Sequence, residues 1–340
     1  MMFLLVILAA VLFLPFLFKK VEHNIEIFLL MMGLAAAGTT GQINSHLCLE
    51  AIQEPIPISL AVLFFSLLFR STRRWLDLGI QKLLKILPLH LFLFLVIFVL
   101  GLLSSIITAI IASLVLVEVI SILPLNKKEE THLTILACFA IGLGAALTPI
   151  GEPLSTITLA KLKDHPDVNF WFLLKLIGPE VLIGVAICAI LSFWVHDRKT
   201  DQSLQAKEQA RTETLPHIFI RTGKVFLFIS ALIFLGEGFK PLVIQYILPL
   251  SSSLLYWINI SSAVLDNATL AAAEISTAMS NDQIRKILMG LLIAGGMLIP
   301  GNIPNIIAAS KLKIGMKDWA RFGVPLGLIL MTLCFIVLSF

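Results

Sequence analysis

Charge is what this chain has least of. Asp, Glu, Lys and Arg together make up 14% of its 340 residues, against about 25% in soluble domains. Hydrophobic residues make up 58%, and the mean hydropathy is +0.99. So few charges leave no room for a sizeable soluble domain, and the net charge of +4 is too small to suggest a nucleic-acid partner. The four cysteines, Cys48, Cys138, Cys188 and Cys334, form no CxxC pair and no His-spaced set. That spacing excludes a disulfide scaffold and a structural zinc site, and leaves them as small apolar packing residues. There is no phosphate-binding glycine loop, no nucleophile elbow and no metal-ligand cluster. An intramembrane aspartyl protease would need two separated aspartates within helices, and only Asp266 qualifies. The chain therefore reads as a non-enzyme without an organic cofactor.

What is present is apolar sequence in long runs, at about 2–18, 24–40, 56–72, 87–124, 132–163, 169–195, 217–237, 241–280, 284–312 and 318–340. Runs of this length predict an all-α polytopic membrane protein embedded in a lipid bilayer. The first 20 residues lack a basic leader and a small-x-small cleavage site, so they read as a first transmembrane helix with the N-terminus outside. Residues 1–55 are expected to be leading, scaffold-forming helices. The charged stretch 196–216 reads as a cytoplasmic linker between a first half (56–195) and a second half (217–340).

Two runs are too long for one crossing and too short for two. Residues 87–124 carry "GLLSSIIT" at their centre, and residues 241–280 carry "YWINISSAVLDNAT". Each is expected to be a re-entrant helical hairpin with a small polar tip, tolerated at depth only where protein or a cavity surrounds it. With the first hairpin entering from the cytoplasm and the second from outside, 19 of the 25 Lys and Arg fall on the cytoplasmic side. That bias is the one expected of a correct topology, in the plasma (cytoplasmic) membrane.

The two halves also repeat. "SSIITAIIAS" (104–113) aligns with "SSAVLDNATL" (261–270), and "GAALTPIGEPLSTITLAKL" (144–162) with "GGMLIPGNIPNIIAASKL" (295–312). Glu118 and Glu274 lie 13 and 12 residues past the second Ser of their tips. Under the charge-derived topology the halves have opposite orientation. Inverted repeats with paired broken helices point to a secondary transporter whose site lies at the repeat interface.

Pro149, Pro153, Pro300 and Pro304 should unwind both broken helices by removing amide donors. The half-helices that restart after each break point positive dipole ends inward, toward hydroxyl and amide side chains. Candidate ion or substrate ligands are Ser104, Ser105, Thr108, Thr148, Gly151 and Glu152 in the first half. In the second half they are Asp266, Asn267, Thr269, Asn302 and Asn305, although Ser, Thr and Asn also serve simply as packing residues between membrane helices. The acids carry more weight, because a charge at the bilayer centre costs about 2.5–3.5 kcal/mol on insertion scales. Glu118, Glu152, Asp266 and Glu274 lie within apolar runs, with no Lys or Arg expected at comparable depth. Each must be protonated, paired with a cation or set at a hydrated helix end. Asp266 and Glu152, with Asn267 and Asn302, are the expected sodium ligands, and Glu118 and Glu274 are possible proton relays. The histidines fall in or near loops, with only His90, at the start of the first hairpin, placed for a relay.

These residues resemble a known group. "GAALTPIGEPLST" and "GGMLIPGNIPNII" are similar to the paired unwound segments of the ion transporter superfamily. "SSAVLDNAT" resembles the hairpin tip of its sodium/proton antiporter branch. The likeness covers roughly 85–340 and is greatest to the small predicted cation transporters and arsenite permeases of that group. It implies a homodimer of inverted repeats, in which a transport domain of hairpins and broken helices moves against a scaffold. The first tip departs from the Ser-Asn-Thr tips of the carboxylate symporters. Two functions follow: a sodium (monovalent cation)/proton antiporter, or a cation-coupled transporter of a small anion of carboxylate, oxyanion or arsenite type. A channel or scaffold protein would show no counter-ion coupling.

Overall fold

The computed structural model describes residues 2–163, 168–195, 214–247 and 250–339. Among these, every regular element is helical. The first group is α1 (Met2–Leu17), α2 (Lys19–His23), α3 (Ile25–Thr39), α4 (Ser45–Gln53) and α5 (Pro55–Ile86). Next come α6 (Leu89–Ile107), α7 (Ala109–Ile122), α8 (Lys127–Ala145), α9 (Pro153–Lys161) and α10 (Phe172–Leu191). After residue 213 follow α11 (Leu215–Leu242), α12 (Ser252–Ile258), α13 (Asn267–Glu274), α14 (Asn281–Gly295), α15 (Ile303–Leu312) and α16 (Met316–Ser339). Five helical stretches are long and apolar enough to cross a membrane: Ser45–Ile86, Leu89–Ile107, Phe172–Trp194, Leu215–Tyr246 and Met316–Ser339. The protein is an integral membrane protein, and helices are its solution because lipid offers the backbone no hydrogen-bond partners.

The helices associate in two groups. In one, α11 packs along α3 and also against α4 and α5. This group is tied internally by Arg221 to Ser66 Oγ, Ser230 Oγ to the Ala51 carbonyl (2.7 Å) and Lys224 to Glu26 (2.7 Å). The other group holds α6–α10 and α12–α16, tied by Ser104 to the Ile141 carbonyl (3.0 Å), Ser262 to the Leu291 carbonyl (3.2 Å) and Tyr256 to the Met331 carbonyl (2.7 Å). Part of the seam between them is an apolar cluster, while Gly236 of α11 faces Thr269 of α13. Val62, Val225 and Ile229 of the first group meet Leu114 and Ile307 of the second.

The elements differ from the sequence expectation in four places. The helix expected at 56–72 continues to Ile86, because the basic residues after Phe69 interleave with Trp75, Leu76, Ile80 and Leu84 at helical spacing. The stretch between the apolar runs 24–40 and 56–72 contains α4, capped by Asn44 Oδ1, which accepts from Leu47 N at 2.8 Å. The second hairpin region is shorter than 241–280: residues 241–247 complete α11 and its π-helical end, so the tip region runs from Ser252 to Glu274. Most of the expected linker, 196–213, lies outside the described residues, and its last two residues begin α11.

Candidate functional site

Two helices break at the expected prolines, and the breaks have one geometry. Helix α8 ends at Ala145 and α9 starts at Pro153; α14 ends at Gly295 and α15 starts at Ile303. Each gap is therefore seven residues long, 146–152 and 296–302. The residue before each restart is fully extended, Glu152 at φ −157, ψ 162 and Asn302 at φ −155, ψ 147. Each gap folds so tightly that only glycine fits its penultimate position. A Cβ on Gly151 would lie 1.9 Å from the Ala145 carbonyl oxygen, and one on Gly301 2.5 Å from the Gly295 oxygen.

Each break touches the turn between two preceding helices, α6–α7 for the first and α12–α13 for the second. The Ala109 amide donates to the Gly151 carbonyl at 2.9 Å, and the Thr148 hydroxyl donates to the Ser105 carbonyl. In the second half, a Cβ on Gly301 would lie 2.8 Å from the Ser262 carbonyl oxygen. Ser105 donates locally to the Leu102 carbonyl, 2.7 Å away. The Asn305 amide nitrogen donates to the Gly295 and Leu298 carbonyls, both at 2.8 Å, and so staples the second break. These contacts supply the partners that the broken helices owe their backbone.

The helices that restart after breaks and tips pack crosswise: α9 against α13, and α7 against α15. Four helix N-termini thus come together in two pairs, each with one member from each half. In the first pair the N-cap residues are both acids, Glu152 for α9 and Asp266 for α13. In the second they are both neutral, Thr108 for α7 and Asn302 for α15. Asp266 Oδ2 accepts from Thr269 N (2.8 Å) and Thr269 Oγ1 (3.0 Å). Glu152 is 7% exposed, makes no capping bond, and its Oε1 has no hydrogen-bond partner. The two carboxylates are close enough for their charges to act on one another. Ser155 and Thr158, buried on the same helix three and six residues on, also have hydroxyls without a partner. Residues 155 and 158 fall on one face of α9. Asn267 is buried near the second break with its amide nitrogen unpartnered, and the Asn302 amide lies against Gly142 of α8.

Thr108 holds φ 74, ψ 150, a region that is essentially glycine-only and costs about 1–3 kcal/mol to occupy. Its hydroxyl accepts from Ile111 N at a weak 3.4 Å.

The other two acids depart from expectation. The Lys311 ammonium lies 2.9 Å from Glu118 Oε1, with both side chains largely buried. A base does therefore reach that depth, and an ion-paired Glu118 is poorly placed to pass protons. Lys311 escaped the sequence reading because it stands at the exit of α15, where a hydrated end was expected, and only the α7–α15 packing brings it inward. Glu274 is fully buried; Asn259 donates to its Oε2 at 3.0 Å, and its Oε1 has no partner. The two glutamates are not equivalent in the fold. The tip contacts pair Ser104 with Ser262 and Thr108 with Asp266, which places Glu118 two residues further along its helix and on another face. Two residues had been passed over. Asn259 sits within the quoted polar stretch "YWINISSAVLDNAT" and could have been picked from it. The Glu180 side chain is 8% exposed and 3.4 Å from Arg285.

An all-helical membrane protein with two broken helices and buried carboxylates at the N-termini of two packed helices is the class that fold and site define. The whole chain, residues 1–340, matches the family model described as "Protein of unknown function (DUF1646)", and the chain belongs to that family. No curated protein matches it.

Proposed function

We propose that the protein is a secondary active transporter that exchanges a monovalent cation, sodium in the first instance, for protons. One observation carries this reading: Glu152 and Asp266, acids from opposite halves, sit at the N-termini of two helices packed against each other. Two carboxylates in one dry site repel when both are ionised, so they favour either a shared proton or a bound cation. The positive ends of α9 and α13 lower the cost of holding the charged forms. Bound cation and bound proton thereby exclude one another, which is the requirement for exchange. Oxygen ligands suited to a hard cation are at hand in Glu152 Oε1 and the Asp266 carboxylate.

In this reading the halves are inverted repeats and the regions around 87–124 and 252–274 are re-entrant hairpins. The body holding the site moves against α3–α5 and α11 along the seam, in a homodimer in the plasma membrane with the N-terminus outside. The resemblance to the ion transporter superfamily supports the inverted-repeat homodimer with a moving body, and the distribution of Lys and Arg supports the orientation. Everted vesicles containing the protein should show sodium-dependent collapse of an imposed pH gradient, abolished by Asp266→Asn. No collapse with any alkali cation, or equal collapse in wild type and variant, refutes the proposal. The neutral N-cap pair Thr108 and Asn302 favours a second reading, sodium-coupled movement of a small anion at α7 and α15. Sodium-dependent uptake of labelled carboxylates or oxyanions into the same vesicles would select it.

A further inference from the structure

The second part of α5 has no role in the site. Residues 70–86 read "RSTRRWLDLGIQKLLKI" and form one continuous helix with the apolar part before them. At 1.5 Å per residue these 17 residues extend about 25 Å. Both ends are tied to membrane-embedded sequence: the apolar stretch 55–69 on one side, and the span α6, beginning at Leu89, on the other. Only Leu87 and Pro88 lie between Ile86 and α6, and that stretch of chain reaches about 10 Å. A helix running straight out into water could not return to the bilayer in that distance, so the continuous α5 must lie oblique to the bilayer, which keeps residues 70–86 near the membrane surface.

Its side chains sort accordingly. Ile80 is buried and Leu84 packs against the core. Trp75, Leu78, Lys82 and Ile86, spaced three or four residues apart, form one outward stripe. Trp75 is 76% exposed and Ile86 79%. Gly79 on the same stripe has nothing near it. Exposed Arg74 and Lys85 border one edge of the stripe, and Lys82 stands within it. A tryptophan and aliphatic side chains edged by cations is the pattern of a helix lying at the headgroup level, its apolar side sunk toward the acyl chains.

We propose that residues 70–86 of α5 form a membrane-surface helix whose outward stripe binds the anionic phospholipid headgroup layer. Trp75 and Ile86 enter the acyl boundary, while Arg74, Lys82 and Lys85 pair with headgroup phosphates. The proposal is independent of the transport reading. The test uses the full-length protein in nanodiscs of phosphatidylcholine alone or mixed with phosphatidylglycerol. The Trp75 fluorescence is taken as the difference between wild type and Trp75→Phe. Phospholipid brominated near the headgroup end of its chains should quench that component at least twofold, and aqueous iodide should leave it almost unchanged. Protection from iodide should rise with phosphatidylglycerol, and Arg74→Glu/Lys82→Glu/Lys85→Glu should cancel that rise. Quenching by iodide but not by brominated lipid would overturn the proposal, as would identical behaviour in neutral and anionic bilayers. Efficient cross-linking of Ile86→Cys between copies would overturn it too, by assigning the face to a second chain. Should a tryptophan or charge variant fail to fold, an environment-sensitive dye on Ile86→Cys gives the same readout. A dye spectrum typical of water in both bilayers would then refute it.

Discussion

Replacing Lys311 by Met would strand the Glu118 carboxylate between α7 and α15. The pair is 2.9 Å apart, with side-chain exposures of 10% and 7%. Breaking a buried ion pair from one side costs about 3–5 kcal/mol, because the remaining charge is left uncompensated. Replacing both partners by apolar residues of similar size is neutral or stabilising, by up to about 4 kcal/mol, since both desolvation penalties vanish. Lys311→Met and Glu118→Leu should each be strongly destabilised, and the double variant should recover to wild-type stability or better. The coupling energy should reach or exceed the upper end of the usual range of about 0.5–3 kcal/mol. Reversible unfolding of the four proteins in dodecylmaltoside micelles titrated with SDS measures all the corners of this cycle. Single variants within about 0.5 kcal/mol of wild type, or purely additive effects, would refute the claim that this pair is buried and mutually dependent.

Three further outcomes follow from local geometry. Gly144→Ala should prevent accumulation of folded protein, because its Cβ would lie 1.8 Å from the Gly101 carbonyl oxygen at the α6–α8 contact; yield and monodispersity after extraction check this. Thr108→Gly should be as stable as wild type or up to about 2 kcal/mol more stable in the same SDS titration, since relief of the φ 74 strain outweighs a weak cap. At the aqueous end of α14, hydrogen bonds from Lys286 and then Arg285 hold the Asp282 carboxyl below its ordinary value of 3.8. A depressed folded-state pKa gives stability that is present above the unfolded value and lost as pH falls through the folded one. Asp282→Asn should therefore melt slightly lower than wild type at pH 7, with the gap closing toward pH 3. The effect is small because Asp282 is about half exposed.

The breaks were legible because proline and glycine act locally: "TPIGEP" and "IPGNIP" stop a helix whatever surrounds them. Glu152 at the first break and Asp266 before α13 were legible for a similar reason, since a carboxylate in an apolar run always needs an explanation. What could not be read was pairing at a distance. Glu118 meets Lys311 and Glu274 meets Asn259 only because particular helices pack, and nothing in the spacing of 118 and 311 encodes that. The relation of Thr108 to Asp266 was likewise hidden, since the alignment of tips ran one residue off the register of their contacts. The length of α5 was missed because its charges beyond Phe69 looked like loop residues, although their spacing keeps Ile80 and Leu84 on the protein side. The end of α11 was missed because Gly238 and Lys240 separate two apolar runs and, with Pro241, looked like a loop, whereas the helix continues through them.

The central claim is that Glu152 and Asp266 form one site at which a monovalent cation and protons compete. Equilibrium binding of radioactive sodium to purified protein at pH 6 and pH 8.5 tests it most directly. Binding should be stronger at the higher pH and largely lost in either Glu152→Gln or Asp266→Asn. It should fall no further in the double variant, because both changes act on the same site. Sodium binding that is independent of pH, or that survives in the double variant, would contradict the account.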